Sequence, residues 1–194
     1  MNMKKSKLLL LIVVLLISVS ASAGCATLRS QFKDMGAEIL GLQRTFVVYD
    51  DSGNETMTVT GTRTDMQPSE VENMLLIEVD GSRWQHVGST MLAFESGLKN
   101  HIDGYKEALT LTGSGGTITA IDKTLNQFFS NTIGLERIVI VKTQAGVPIA
   151  VFEGNNVLVE ASALPQTTKI LIDNKRLHVY RADLEIIESS LFGK

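Results

Sequence analysis

Three histidines, His86, His101 and His178, are the side chains of this sequence best suited to acid–base or metal chemistry, because imidazole changes charge near neutral pH. Their spacing speaks against both uses. No His-x-x-x-His or Cys-x-x-Cys occurs, so no metal centre is expected. His101 and Asp103 stand two apart on a predicted helix and do not share a face. All three are therefore expected to be surface or strand histidines. Asp50-Asp51-Ser52-Gly53-Asn54-Glu55 is rich in oxygen donors, but its glycine falls too early for a calcium loop and no closing glutamate follows. It reads as a solvated hairpin turn. Gly113-Ser114-Gly115-Gly116 precedes a predicted helix without the feeding strand or the Gly-Lys-Ser/Thr of a phosphate loop, and reads as a linker. No Gly-x-Ser-x-Gly elbow is present. With no catalytic constellation, the chain is expected not to be an enzyme and to need no cofactor.

The remaining reactive residue is Cys25, the only cysteine. It follows a leader of three zones: Lys4, Lys5 and Lys7, an unbroken apolar run from Leu8 to Ile17, and small residues from Ser18 to Gly24. That run is too short to span a bilayer and suits a signal peptide over residues 1–24. Ala21-Ser22-Ala23 offers a cut before Gly24 that would release a secreted protein. Ser22-Ala23-Gly24-Cys25 resembles the lipobox of bacterial lipoproteins, with Ser22 where that pattern has leucine. The resemblance implies a diacylglyceryl group on Cys25 and a lipid-anchored protein on the extracytoplasmic face of the cell membrane. Two or more acyl chains anchor stably where one does not.

Removing a 24-residue leader from 194 residues leaves 170, enough for one medium domain or two small ones. The leader carries three lysines and no acid, so the net charge falls from −3 to −6. An acidic chain lacks the basic footprint of a nucleic-acid binder. A lone cysteine allows no intrachain disulfide, so stability must come from a core.

The elements that would position any site follow from an internal repeat. Sliding the chain by 93 residues lays 41–96 over 134–189 without a gap. Gly41-Leu42-Gln43-Arg44 meets Gly134-Leu135-Glu136-Arg137, and Gly53, Gly61, Asp80, Arg83 and Glu95-Ser96 meet Gly146, Gly154, Asp173, Arg176 and Glu188-Ser189. Upstream, Leu28, Phe32, Met35, Ile39 and Leu42 keep the spacing of an amphipathic helix, as do Ile121, Leu125, Phe128, Thr132 and Leu135. Each unit is expected to be that helix followed by strands, over about 44–50, 56–62, 73–80, 83–88 and 90–95 in the first. In the second they fall over about 137–143, 147–153, 156–161, 168–173, 175–180 and 183–188. Asp80-Gly81-Ser82 and Asn174-Lys175 mark tight hairpins. The expected fold is α+β: two tandem repeats over 25–96 and 121–194, each a helix on a small curved antiparallel sheet or open barrel. Between them, 97–120 holds a short helix, with Leu98, Ile102, Tyr105 and Leu109 on one face, and the glycine-rich linker.

Arg44/Arg137 and Arg83/Arg176 are the cations kept in both copies. They are read as braces that bond Asp80, Asp173 or backbone carbonyls rather than as ligand contacts. Trp84, matched with Leu177, is read as core.

Leu42-Gln43-Arg44-Thr45-Phe46-Val47-Val48-Tyr49-Asp50, with Gly53, Gly61 and Ile77-Glu78-Val79-Asp80-Gly81-Ser82-Arg83, resembles a family of small Gram-positive and phage-associated lipoproteins. Its pattern is "LNRTVTVY…G…G…D.DGKR", and its domain has no assigned function. The resemblance implies a β-rich envelope lipoprotein. The expected role is a membrane-anchored, non-enzymatic binding or envelope-interaction module, with an envelope protein as partner. Alternatives are a structural scaffold of the envelope and an enzyme with an unrecognised site.

Overall fold

A computed structural model describes residues 42–112 and 136–189. They belong to one compact body that begins at Leu42. The first half supplies β1 (Leu42–Tyr49), β2 (Glu55–Pro68), β3 (Leu75–Val79), β4 (Ser82–His86) and β5 (Thr90–Glu95). A helix, α1 (Ile102–Thr112), follows. The second half supplies β6 (Arg137–Lys142), β7 (Pro148–Gly154), β8 (Val157–Glu160), β9 (Thr167–Ile172), β10 (Lys175–Tyr180) and β11 (Asp183–Glu188).

Every pairing among these strands is antiparallel, and turn chemistry sets the register. Asp80 and Gly81 take φ of 48° and 85°, and Asp173 and Asn174 take 44° and 66°. Two successive positive φ values are what a two-residue hairpin turn demands, and they place Val79 opposite Ser82 and Ile172 opposite Lys175. β2 runs to Pro68, beyond the expected 62, because Thr64 to Pro68 pair with β3.

The strands form an eight-stranded sheet in the order β4-β3-β2-β1-β5-β10-β9-β8, and a three-stranded sheet in the order β11-β6-β7. This overturns the expected α+β tandem. The described residues are nearly all β with one short helix, and the second half shares its strands between two sheets. The first half does not close on itself either, because β5 pairs with β10 across the chain. The helices expected upstream of each strand set, like Cys25, the leader and the Gly113–Gly116 linker, lie outside the described residues.

The physical reason is the burial demanded by β1 and β5. Phe46, Val48, Met91 and Ala93 face one core, with Leu75, Ile77 and Tyr180. Val47, Tyr49 and Leu92, on the opposite face of the same strands, enter a second core with Val139, Val141, Phe152, Ile170 and Val179. A strand apolar on both faces must be covered on both. Each fully buried large apolar side chain contributes about 1.5–3 kcal/mol. A lone curved sheet would leave one of these faces in water, so the two halves share β1 and β5 as a common wall.

Positions 93 residues apart carry the same bonds. The Asp80 carboxylate accepts from the Thr62 and Arg63 amides, and that of Asp173 from the Asn155 and Asn156 amides. Burial under these carboxylates explains two glycines: a Cβ on Gly61 would lie 2.5 Å from Val79 Cγ1, and one on Gly154 2.7 Å from Ile172 Cγ2. Arg44 donates to the Thr64 carbonyl and Arg137 to that of Val157. Ser96 and Ser189 amides donate to the carbonyls of Gln43 and Glu136. Among the described residues no helix is long and apolar enough to cross a membrane.

Candidate functional site

The best-furnished cleft lies where β5 leads into α1. It encloses about 460 Å³ between Gly97, Leu98, Lys99, His101, Glu153, Ile172, Asp173 and Lys175. Its geometry starts at Asn100, whose side-chain oxygen accepts from the Ile102 amide at 3.1 Å and from the Val151 amide at 2.9 Å. One side chain thus caps α1 and ties it to β7. The His101 amide donates to the Val151 carbonyl at 2.8 Å, and its carbonyl accepts the first helical bond, from Tyr105. Glu153, two residues beyond Val151 on β7, faces the same way, since strand side chains alternate with period two. His101 Nε2 lies 3.1 Å from Glu153 Oε1, both side chains nearly buried.

Burial pushes the Glu153 carboxyl up to about 7, against the opposing pull of Lys99. Burial, then the charge of Lys99, lowers His101 below its ordinary value. Both shifts favour an uncharged carboxyl–imidazole hydrogen bond on the acid side of neutrality, which acquires a negative charge as pH rises through about 7. The remaining charges at the cleft are the ammonium groups of Lys99 and Lys175 and the carboxylate of Asp173. Lys175 Nζ is held over the β5–α1 turn by donating to the Ser96 carbonyl at 3.1 Å. Gly97 takes a φ of 87° there, and its missing Cβ leaves the space that the ammonium occupies.

The structure separates the three histidines. His101 alone enters the cleft, paired to a residue 52 positions away in sequence. His86 is a core residue: Nε2 bonds the Ser89 carbonyl at 2.9 Å, and the ring packs edge-on against Trp84 and Tyr180. His178 is buried on β10, and neither ring nitrogen has a hydrogen-bond partner among the described residues. Burial and the neighbouring cations Arg44, Lys169 and Arg176 hold it neutral, down to about 3.

The Asp50 carboxylate bonds the Asn54 amide and side chain, as a turn does. Trp84 is half-buried, edge-on to Phe46 at 5.9 Å. Of the repeated arginines, Arg176 is buried and approaches Glu95 at 3.9 Å, whereas Arg83 is exposed. Among the described residues no group of three or more His, Cys, Asp or Glu is placed to hold a metal ion.

Sequence reasoning missed Lys99, Glu153 and Lys175. One signal was readable: in Pro148-Ile149-Ala150-Val151-Phe152-Glu153, an acid stands in phase with buried apolar residues. A second, smaller cleft of about 330 Å³ lies along the β3–β4 hairpin, between Asp65, Gln67, Glu78, Arg83, Trp84 and Gln85.

Searches of curated proteins and of solved structures each return no match. A family model does match, over residues 4–192 and so nearly the whole chain, and the chain belongs to that family, the proteins with the domain of unknown function DUF5052.

Proposed function

We propose that this protein is an extracytoplasmic binding module, tethered to the cell membrane by lipid on Cys25, whose β5–α1 cleft takes a small anionic group. The reading is non-enzymatic. The observation that carries it is the charge arrangement of the cleft. Two lysines line the same cleft as Glu153, whose carboxyl burial keeps protonated up to about pH 7, so they outnumber Asp173, the other charged lining residue. That is a local positive spot on a chain whose mature charge is −6, after removal of the three leader lysines from −3. The start of α1 adds a partial positive charge beside the cleft, offset in part by Asp103 in its first turn. The matched bonds at positions 93 apart also support descent of the two halves from one duplicated strand set.

Titration calorimetry with inorganic sulfate, whose charge is constant across the range, tests the cleft. Binding is expected to weaken about tenfold between pH 6 and 8 as Glu153 ionises, the size of one like charge a few ångströms away. Glu153→Gln should remove that step and Lys175→Ala should weaken binding at every pH. Equal sulfate binding by wild type and Lys175→Ala would sink the assignment. The anchor is tested separately. Metabolic labelling with a fatty-acid analogue should tag the wild type and not Cys25→Ala, and an untagged wild type would leave the secreted form standing.

A further inference from the structure

The seam between the halves is the β5·β10 pairing, which sets Phe94 opposite Leu177, Ala93 opposite His178, Leu92 opposite Val179 and Met91 opposite Tyr180. Next in that register Glu95 meets Arg176, and the two form a buried ion pair at 3.9 Å. Shifted by 93 residues, β5 becomes β11 and β10 becomes β4. Those are the strands left at sheet edges, β4 ending the eight-stranded sheet and β11 the three-stranded one. The ion pair's counterparts are also kept: Arg83 is exposed on β4, and Glu188 is exposed on β11, 3.8 Å from Arg137 at the surface. Among the described residues both halves of a second seam are therefore present and neither is joined.

We infer that β4 of one copy of this protein pairs with β11 of another, extending the sheet head to tail in the register of β5·β10. Arg83 then faces Glu188, Trp84 faces Ile187, His86 faces Glu185, and Val87 faces Leu184. Two observations beyond the correspondence support a second copy as occupant. Val87 is 60% exposed, an apolar side chain in water that this register sets on Leu184. The edges also differ in charge: β11 displays Asp183 together with Glu185 and Glu188, which pair with Lys142 and Arg137 of β6, whereas β4 displays Arg83 and no acid. Like charges directly opposed destabilise a strand pair, so β11 against β11 is disfavoured and β4 against β11 is selected. Such a contact is heterologous and builds a closed ring or an open row. Exposed edge strands pair readily unless blocked, and lipid anchoring would hold copies at high local concentration with parallel orientation.

The test uses the mature chain carrying Cys25→Ser, so that micelles do not dominate its mass, in sedimentation velocity at low salt. The wild type is expected to grow beyond monomer with concentration. Arg83→Glu or Glu188→Arg alone should weaken association about tenfold, since each opposes like charges in the seam. Mixing the two variants should restore it, because each seam then meets an opposite charge. Circular dichroism of each variant guards against misfolding, and Ser82→Cys with Ser189→Cys, in the same register, should give a ladder of disulfide-linked oligomers. A wild type that stays monomeric at millimolar concentration, or a mixture no better than its components, would overturn the proposal. Sulfate binding in the cleft is independent of either result.

Discussion

Arg176→Ala is expected to lower the unfolding free energy by about 3–5 kcal/mol, the usual loss when one member of a buried ion pair is removed. Arg176 is 2% exposed and lies on the seam strand β10 across from Glu95, itself buried on β5. Removing the guanidinium takes a cation away from Glu95, which still stands opposite Arg44 of β1, and leaves a cavity in a wall shared by both halves. Two companions separate these effects. Arg176→Met keeps much of the volume and should lose less. Combining it with Glu95→Leu removes both charges of the pair, and stability that is not recovered measures the other contacts of Glu95, which stands opposite Arg44 on β1. The exposed counterpart provides the contrast: Arg83→Ala should shift monomer stability by less than about 0.5 kcal/mol, as expected of a surface site. Urea denaturation of the four variants measures all of this. An Arg176→Ala loss no larger than that of Arg83→Ala would show that the seam is not what joins the halves.

The second large effect is expected at Tyr180. This residue belongs to the second half, yet it is fully buried in the core built from Phe46, Leu75, Ile77 and Met91 of the first. Its ring packs edge-on against His86 at 5.3 Å, and its hydroxyl donates to the Asn73 carbonyl at 2.5 Å. Tyr180→Ala should cost about 3–5 kcal/mol, from lost burial and the cavity that remains. Tyr180→Phe isolates the hydroxyl and should cost about 1–3 kcal/mol, because the Asn73 carbonyl loses its donor. Because the side chain bridges the halves, fluorescence of Trp84 in the first half and backbone circular dichroism should report one coincident transition in each variant. Separate transitions would mean that the halves unfold independently despite their shared wall.

Both effects depend on residues whose importance is invisible in local sequence. Arg176 and Arg83 occupy matching positions, and nothing nearby distinguishes the buried one from the exposed one. The difference arises because β10 meets β5 while, among the described residues, β4 meets no strand on its outer side. His101 illustrates the same limit. Its neighbours on the helix offered no partner, and its actual partner comes from β7, brought close by Asn100 bonding the backbone of both elements.

What the sequence by itself determined was the strands and their turns. Alternation, with Asp80-Gly81 accepting positive φ, depends only on residues a few positions apart, so it can be read locally; the second turn falls on Asp173-Asn174, one residue before the expected Asn174-Lys175. Even the double-sided burial of β1 is visible in Phe46-Val47-Val48-Tyr49, a run with no polar face. What only the tertiary structure decided was which strands those faces would meet. A helix or a sheet could have covered them, and local sequence expresses no preference between the two. The choice was made by long-range pairing, where the second face of β1 and β5 found the apolar strands of the other half, and so two expected units became one β structure with β4 and β11 at its edges.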